Sequence, residues 1–408
     1  MTLGNSSRRA FCRGAGALGL AFAAAPPVFA AAPAADVLAR RRAWAAPSDG
    51  YTPFHELFES EVVRTGSWIS PLPEATEPFD LTFEFDGRTY TLEEYQRVTK
   101  TYGLVVIKDG RVLHEAYGRG ATRQSLLWSA SMSKSIVSIL VGIAVGQGKI
   151  GSVEDQVVRY LPELTDTGYD GATVRNVLQM RSGVEWDDNF FVPGPALDAQ
   201  IASLVENRAR YADIAQQTRS GYAPGSRLNY NSLDTAIAGW LVERATGTPL
   251  PEFTARNLWQ PLGAEADAYW LTDGPKGIGR AFAAGGYNAR LRDYARIGLL
   301  MLREGMIGDR RILPEGWTHA TFTAPRDPEL HEGLYQYGYQ WWLLDGQPGH
   351  SAIGGFGQYI HVNPEAGLVI AKNSWNPAPA ETRGGREELI AQDDMARAFF
   401  AATANKVA

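Results

Sequence analysis

Residues 128–150, from Trp128 to Ile150, read WSASMSKSIVSILVGIAVGQGKI. A Ser-rich turn gives way to an apolar segment. Ile136, Ile139, Leu140 and Ile143 recur at helical spacing, so a helix with a buried face is expected. Gly146 and Gly148 supply the stop. Ser131 and Lys134 open the segment, and a spacing of three puts them on one face about a turn apart. A helix start also gathers free backbone N–H groups and the positive end of the dipole. A serine beside an amine there has the make-up of an activated nucleophile. The same pair can equally be a plain N-cap and a solvated lysine. Lys134 is the only lysine with a serine three positions before it, and it opens a strongly apolar helix.

Outward from this stretch, both flanks look like sheet. Leu81 to Tyr90 (LTFEFDGRTY) alternates around Asp86-Gly87, and Leu104 to Tyr117 (LVVIKDGRVLHEAY) around Asp109-Gly110. Both are hairpin signals, and the two hairpins are expected to share one sheet leading into the Ser131 helix. Before them, residues 31–80 are Ala- and Pro-rich, then aromatic (Tyr51, Phe54, Phe58, Trp68), as in an arm packed on the body. From Ser152 to about Tyr287 the pattern is mostly helical with long loops. Helices are expected at Thr173–Met180, Leu233–Ala245 and Leu291–Arg303. Residues 186–198 form an aromatic loop with Pro and Gly. Residues 335–344, 356–363 and 368–374 return to strand composition, and Glu388–Ala401 closes as a helix. The predicted fold class is α/β (α+β), an antiparallel sheet flanked by helices. The predicted division is a discontinuous α/β lobe of residues 31–150 and 288–408, with a mostly helical lobe of 151–287 inserted.

Composition narrows the function. The chain has 408 residues, 21% charged and 45% hydrophobic, enough for a large core. Its formal charge is −6 with no basic run, which argues against nucleic-acid binding. Residues 1–30 have the order of a twin-arginine signal peptide: Arg8-Arg9, an apolar Gly14–Ala25, then Val28-Phe29-Ala30 as a cleavage site. Export to the periplasm or outside is expected, with no stable membrane insertion. Its removal takes away three arginines and no acid, leaving −9. Cys12, the single cysteine, leaves with it, so no disulfide or catalytic thiol remains. The six histidines show no metal-ligand spacing, and no nucleotide-binding glycine loop is present, so neither metal nor cofactor is expected.

Two other segments carry candidate chemistry. In Pro224–Ser232 (PGSRLNYNS), Tyr230 sits in a loop just before a helix. Facing Ser131, it would relay protons with Lys134; alone, it is a packed tyrosine. In Ala352–Gln358 (AIGGFGQ), glycines allow backbone to approach a ligand closely, and a strand N–H there would join that of Ser131 as an oxyanion hole. A hairpin or bulge has the same composition. Gly349-His350-Ser351-Ala352 begins like a lipase elbow but continues with Ile353 and a strand.

Together, Ser131-Met132-Ser133-Lys134, LVVIKDGRVLHEAYG, LQMRSGVEWDD, PGSRLNYNSLDTAIAGWLVERATG, Trp259–Gly263 (WQPLG) and GGFGQYIHVNP resemble the β-lactamase/penicillin-binding-protein superfamily of serine hydrolases. The nearest likeness is to its esterase and aminohexanoate-dimer hydrolase branch, over most of residues 80–375. The resemblance implies a β-lactamase/D,D-peptidase-like fold and an acyl-enzyme mechanism. Ser131 would be the nucleophile. Lys134 would take its proton directly or through Tyr230, and Tyr230 would protonate the leaving group. The N–H groups of Ser131 and Gly355 would hold the oxyanion. Ser232 stands where many members carry Asn, within reach of Lys134. The third family motif, Lys- or His-Thr-Gly, has Ala352-Ile353-Gly354 as its counterpart, without a cation, or His350-Ser351-Ala352 in another register. The missing cation favours neutral esters or linear amides over β-lactams. Trp186, Asn189, Phe190, Tyr339, Trp341 and Trp342 are candidate pocket walls, with core packing as the other reading. The expected function is a serine hydrolase of a small ester or amide. The alternatives are a β-lactamase or D,D-peptidase, and a non-catalytic binding protein on the same fold. Oligomeric state is not legible.

Overall fold

The computed structural model describes residues 34–42, 50–190, 192–325, 336–343, 348–376 and 386–408. The predicted signal peptide and Cys12 lie outside them. Among the described residues the largest sheet has seven antiparallel strands. Their order is Gln336–Tyr337, Trp342–Leu343, His350–Gly354, Gln358–Asn363, Leu368–Ser374, Thr101–Lys108 and Arg111–Tyr117. The run LVVI of residues 104–107 is apolar throughout because both faces of its strand are covered. Val105 and Ile107 pack toward Ile297 and Leu300 of the Leu291–Leu302 helix, while Leu104 and Val106 pack toward Phe399 and Phe400 of the C-terminal Arg386–Val407 helix. Asp109 and Gly110 both have positive φ, 48° and 79°, as a two-residue hairpin turn demands.

The other hairpin differs from expectation. Thr82–Phe85 and Arg88–Thr91 pair only with each other, apart from the large sheet. Two features hold them there. Phe83 packs on Tyr95 and Phe399, and Thr91 ends the hairpin as the N-cap of the Leu92–Val98 helix through a capping box with Glu94.

A second sheet, ordered Ser60–Val63, Ala268–Leu271, Tyr287–Ala289, Leu127–Trp128, brings the N-terminal arm against the body. The strand Ala268–Leu271 lies within the otherwise mostly helical 151–287. Phe54 of the arm stacks on Trp128 at 4.6 Å, and Tyr51 donates to Leu126 O. Trp68 stays half exposed. The Met132–Gly146 helix is buried along nearly its whole length, between the His350–Gly354 strand and the Ser232–Thr246 helix. Gln340, with φ +61°, ties the helices together. Its side chain accepts from Thr235 and donates to Val177 O, and its carbonyl accepts from Ser135.

Candidate active site

Ser131 is the N-cap of the Met132–Gly146 helix and is half-buried. The turn before it is tight. Ala130 holds φ +45°, and the N–H groups of Met132 and Ser133 return to the carbonyls of Ser129 and Ala130. A non-glycine residue held there stores strain, which is common where a side chain must be presented at a fixed angle. Lys134 is 1% exposed. Its Nζ lies 3.3 Å from Ser131 Oγ, 2.9 Å from Ser232 Oγ and 2.8 Å from Ala284 O. Burial brings the Lys134 ammonium from the ordinary 10.5 down to about 8, against the opposing pull of Asp188.

Tyr230 stands beside this pair, its ring centroid 5.3 Å from Lys134 Nζ. It directly precedes Asn231, which caps the Ser232–Thr246 helix by accepting from Asp234 N–H at 2.6 Å. Trp342 stacks on the Tyr230 ring at 5.4 Å and Tyr337 meets it edge-on at 5.9 Å. Burial pushes the phenol well above its usual value, and the Ser131 side chain pulls it partly back. Such a phenol stays protonated and serves as a donor.

The Gly354–Gly355 segment lies against the same turn. A Cβ on Gly354 would sit 2.3 Å from Ser129 O and 2.9 Å from Met132 N, so only glycine lets the strand come this close to Ser131. Gly355 looks into open space. Phe356 follows with φ +70°, stacked on Trp375 at 4.5 Å and near Trp128.

Of the sequence-nominated residues, Ser131, Lys134, Tyr230, Ser232, Gly354 and Trp342 converge here, with Gly355 next to Gly354. Trp186 adjoins them through Asp188, donating its indole N–H to Oδ1 at 3.0 Å. Asn189 and Phe190 are half-buried on the same loop. Tyr339 and Trp341 are core residues instead. Tyr339 is 1% exposed, packs on Trp317 and shares its hydroxyl with Arg175, while Trp341 meets Phe322 edge-on. His350 also misses the site. It stacks on Phe322 at 3.7 Å, burial lowers it to about 4, and its strand position is four residues from Gly354, on the order of 13 Å at a strand's rise. Ser351 is buried against His361 and is no nucleophile elbow.

Sequence reading missed two groups. Asp188 receives the Ser232 N–H on Oδ1 and the Ser232 hydroxyl on Oδ2, each at 2.8 Å. Burial raises its carboxyl, and Lys134 opposes that rise. The carbonyls of Ala283, Ala284 and Gly285 bind Ser133 Oγ, Lys134 Nζ and Trp128 Nε1 in turn. The only sequence signal was the acid pair in EWDDN, and backbone carbonyls leave none.

Comparison with known proteins identifies the family and the fold. The family model described as Beta-lactamase matches residues 91–394. A 6-aminohexanoate-dimer hydrolase of Paenarthrobacter ureafaciens is 30% identical over 301 residues, covering 71% of this chain and 76% of the relative. Among solved structures, one described as a "putative 6-aminohexanoate-dimer hydrolase from Bacillus anthracis" superposes with a TM-score of 0.74 at 24% identity, covering 88% of this chain and 94% of that one. EstCE1, described as a hydrolase with promiscuous acyltransferase activity, superposes with a TM-score of 0.55 at 18% identity, covering 74% and 98%. These two structures speak to the fold. No helix among the described residues is long and apolar enough to cross a membrane.

Proposed function

This chain belongs to the Beta-lactamase family and is a hydrolase of that family, and we propose that it cleaves a small ester or linear amide through an acyl-Ser131 intermediate. The observation that carries the reading is the buried Lys134 amine, 3.3 Å from the Ser131 hydroxyl at a helix start. With its ammonium brought down to about 8, Lys134 is in part neutral near pH 7 and can act as a base. As Ser131 Oγ bonds to the acyl carbon, its proton passes to Lys134. The oxyanion is held by the N–H groups of Ser131 and Gly355. Tyr230 gives its proton to the departing nitrogen or oxygen and regains one from Lys134. Water then releases the acid by the reverse sequence. The raised Tyr230 phenol supports its role as acid, leaving the base to Lys134.

Substrate class follows from charge. Ala352, fully buried, stands where the resemblance expects a cation, which supports a neutral substrate over a β-lactam or cell-wall peptide. The relative that acts on the 6-aminohexanoate dimer supports a linear amide. Export through residues 1–30 and a division into lobes 31–150 with 288–408 and 151–287 complete the reading. The Arg8-Arg9 motif and the largely helical make-up of 151–287 support them. The test is Ser131→Ala, assayed on p-nitrophenyl esters and linear amides. Loss of turnover, with a mass shift on Ser131 from a fluorophosphonate in the parent, is expected. Full retention of activity refutes the assignment, and faster turnover of a chromogenic cephalosporin than of any ester moves it to the β-lactamases.

A further inference from the structure

The three polar neighbours of Lys134 Nζ are not equivalent. Ala284 O, at 2.8 Å, can only accept. The hydroxyls of Ser232 at 2.9 Å and Ser131 at 3.3 Å can donate or accept. What Ser232 does is decided by Asp188. An ionised carboxylate has acceptors only, and this one takes both the N–H and the O–H of Ser232, each at 2.8 Å. The Trp186 indole N–H, 3.0 Å from Oδ1, fixes the carboxylate in turn. The Ser232 proton is thus committed to Asp188, and only lone pairs face Lys134.

A neutral amine has two N–H bonds and one lone pair. Ala284 and Ser232 take the two N–H bonds, and the one remaining direction is toward Ser131 Oγ. We propose that Asp188 is a positioning residue: by making Ser232 an obligatory acceptor, it turns the lone pair of neutral Lys134 onto the Ser131 hydroxyl. This rests on Lys134 being the base for Ser131. In the step it serves, the Ser131 proton moves to Lys134 as the Oγ–acyl bond forms, and Asp188 neither gains nor loses a proton. Asp188 is also the charged group facing Lys134, with the Tyr230 ring on another side. Its charge favours the protonated amine while its hydrogen bonds aim the neutral one, so the two effects separate in a pH profile.

The experiment is Asp188→Asn. The amide oxygen keeps the Ser232 N–H, and the amide NH2 faces Ser232 Oγ. Ser232 then accepts from the amide and turns its own proton on Lys134, capturing the lone pair. Acylation by p-nitrophenyl butyrate at its high-pH plateau is expected to fall about 100-fold, with KM within a few-fold. The acid limb of kcat/KM should move to lower pH, because the anion that favoured the ammonium is gone. In a Ser232→Ala background, Asp188→Asn should add less than about threefold, because the group it acts through is absent. A folded Asp188→Asn variant, by circular dichroism and melting, with an unchanged plateau overturns the proposal. So do losses that multiply in the double variant. If Asp188→Asn does not fold, Trp186→Phe removes one hydrogen bond to Asp188 and leaves the charge. Its plateau should drop several-fold with the acid limb unmoved, and an unchanged plateau overturns the proposal equally. An active Ser131→Ala enzyme sinks the acyl-Ser131 reading on which this rests; an inactive one beside an unimpaired Asp188→Asn variant sinks only this inference.

Discussion

Replacing Gly354 with alanine probes the spacing between the two proposed oxyanion donors. The added Cβ would sit 2.3 Å from Ser129 O and 2.9 Å from Met132 N, both backbone atoms of the turn that presents Ser131. Neither can rotate away. Restoring ordinary contact parts the strand from the turn by about 1 Å, and a misplacement of that size costs about 100-fold in rate. Loss of one oxyanion donor has a similar price of about 100- to 1,000-fold. Gly66→Ala is the control, because its Cβ would meet only ordinary contacts with Gln260, at 3.5 Å and beyond, and it lies outside the site. Initial rates on p-nitrophenyl butyrate, with melting curves for both variants, make the assay. The expectation is a fall of about 100-fold in kcat/KM for Gly354→Ala and less than about threefold for Gly66→Ala. Overpacking will also lower the stability of the first variant by about 1–3 kcal/mol, so rates are compared well below its melting point. Gly354→Ala at more than about a third of parental activity would refute the reasoning. Equal losses in both variants would refute it as well, because then the close approach at Gly354 is not what spaces the donors.

Three further outcomes follow from the same geometry. With Lys134 near 8, acylation measured by stopped-flow should rise about tenfold per pH unit up to pH 7 and level off above about 8; a flat profile from pH 6 to 9 removes Lys134 as the base. Tyr230→Phe should cost an alkyl amide at least about tenfold more than a p-nitrophenyl ester, since nitrophenolate departs without a proton; equal losses would argue against Tyr230 as the acid. Asp234, buried and bonded to Tyr169, is raised from 3.8 to about 7, so the native state holds a proton that the unfolded chain releases between those values. Stability therefore falls as pH rises through that window, by about 4 kcal/mol at full effect. Asp234→Asn should flatten most of the difference between urea melts at pH 5 and pH 8, and an unchanged difference would refute the assignment.

Residues whose signal is local were legible in the sequence. Ser131 and Lys134 are three apart on one helix, the Leu368–Ser374 strand was read at its observed bounds, and the Ser232–Thr246 helix, ended by Gly247 with φ +67°, lies within a residue at each end of the expected Leu233–Ala245. What failed depended on tertiary placement. Aromatic composition nominated Tyr339 and Trp342 alike, yet only Trp342 stacks on Tyr230. Tyr339, beside the left-handed Gln340, packs on Trp317 in the core. The Thr82–Thr91 hairpin carries the same turn signal as its neighbour, but strand pairing is settled by the Phe83–Phe399 contact, more than 300 residues apart in sequence. Asp188 was invisible for a related reason. One acid beside another in EWDDN reads as a solvated loop until the Ser232 backbone is brought against it.

The charges of the site bear on what it can bind. Lys134 and Asp188 face each other across Ser232, so their charges largely cancel within the site. Ala352 adds none, and His350, lowered to about 4 by burial, is neutral at physiological pH. Around Ser131 the described walls are then Tyr230, Trp342 and Tyr337 on one side and the bare Gly354–Gly355 backbone on the other. A carboxylate placed next to the scissile bond would lose its hydration there, and the ammonium form of Lys134 is already committed to three acceptors. A neutral acyl chain loses nothing of the kind and gains aromatic contact. The discriminating comparison is a homologous ester pair, one with a free carboxylate close to the carbonyl and one methylated. The methylated ester should have the higher kcat/KM, and a preference for the free acid would mean that a cation reaches the site from somewhere other than the third motif.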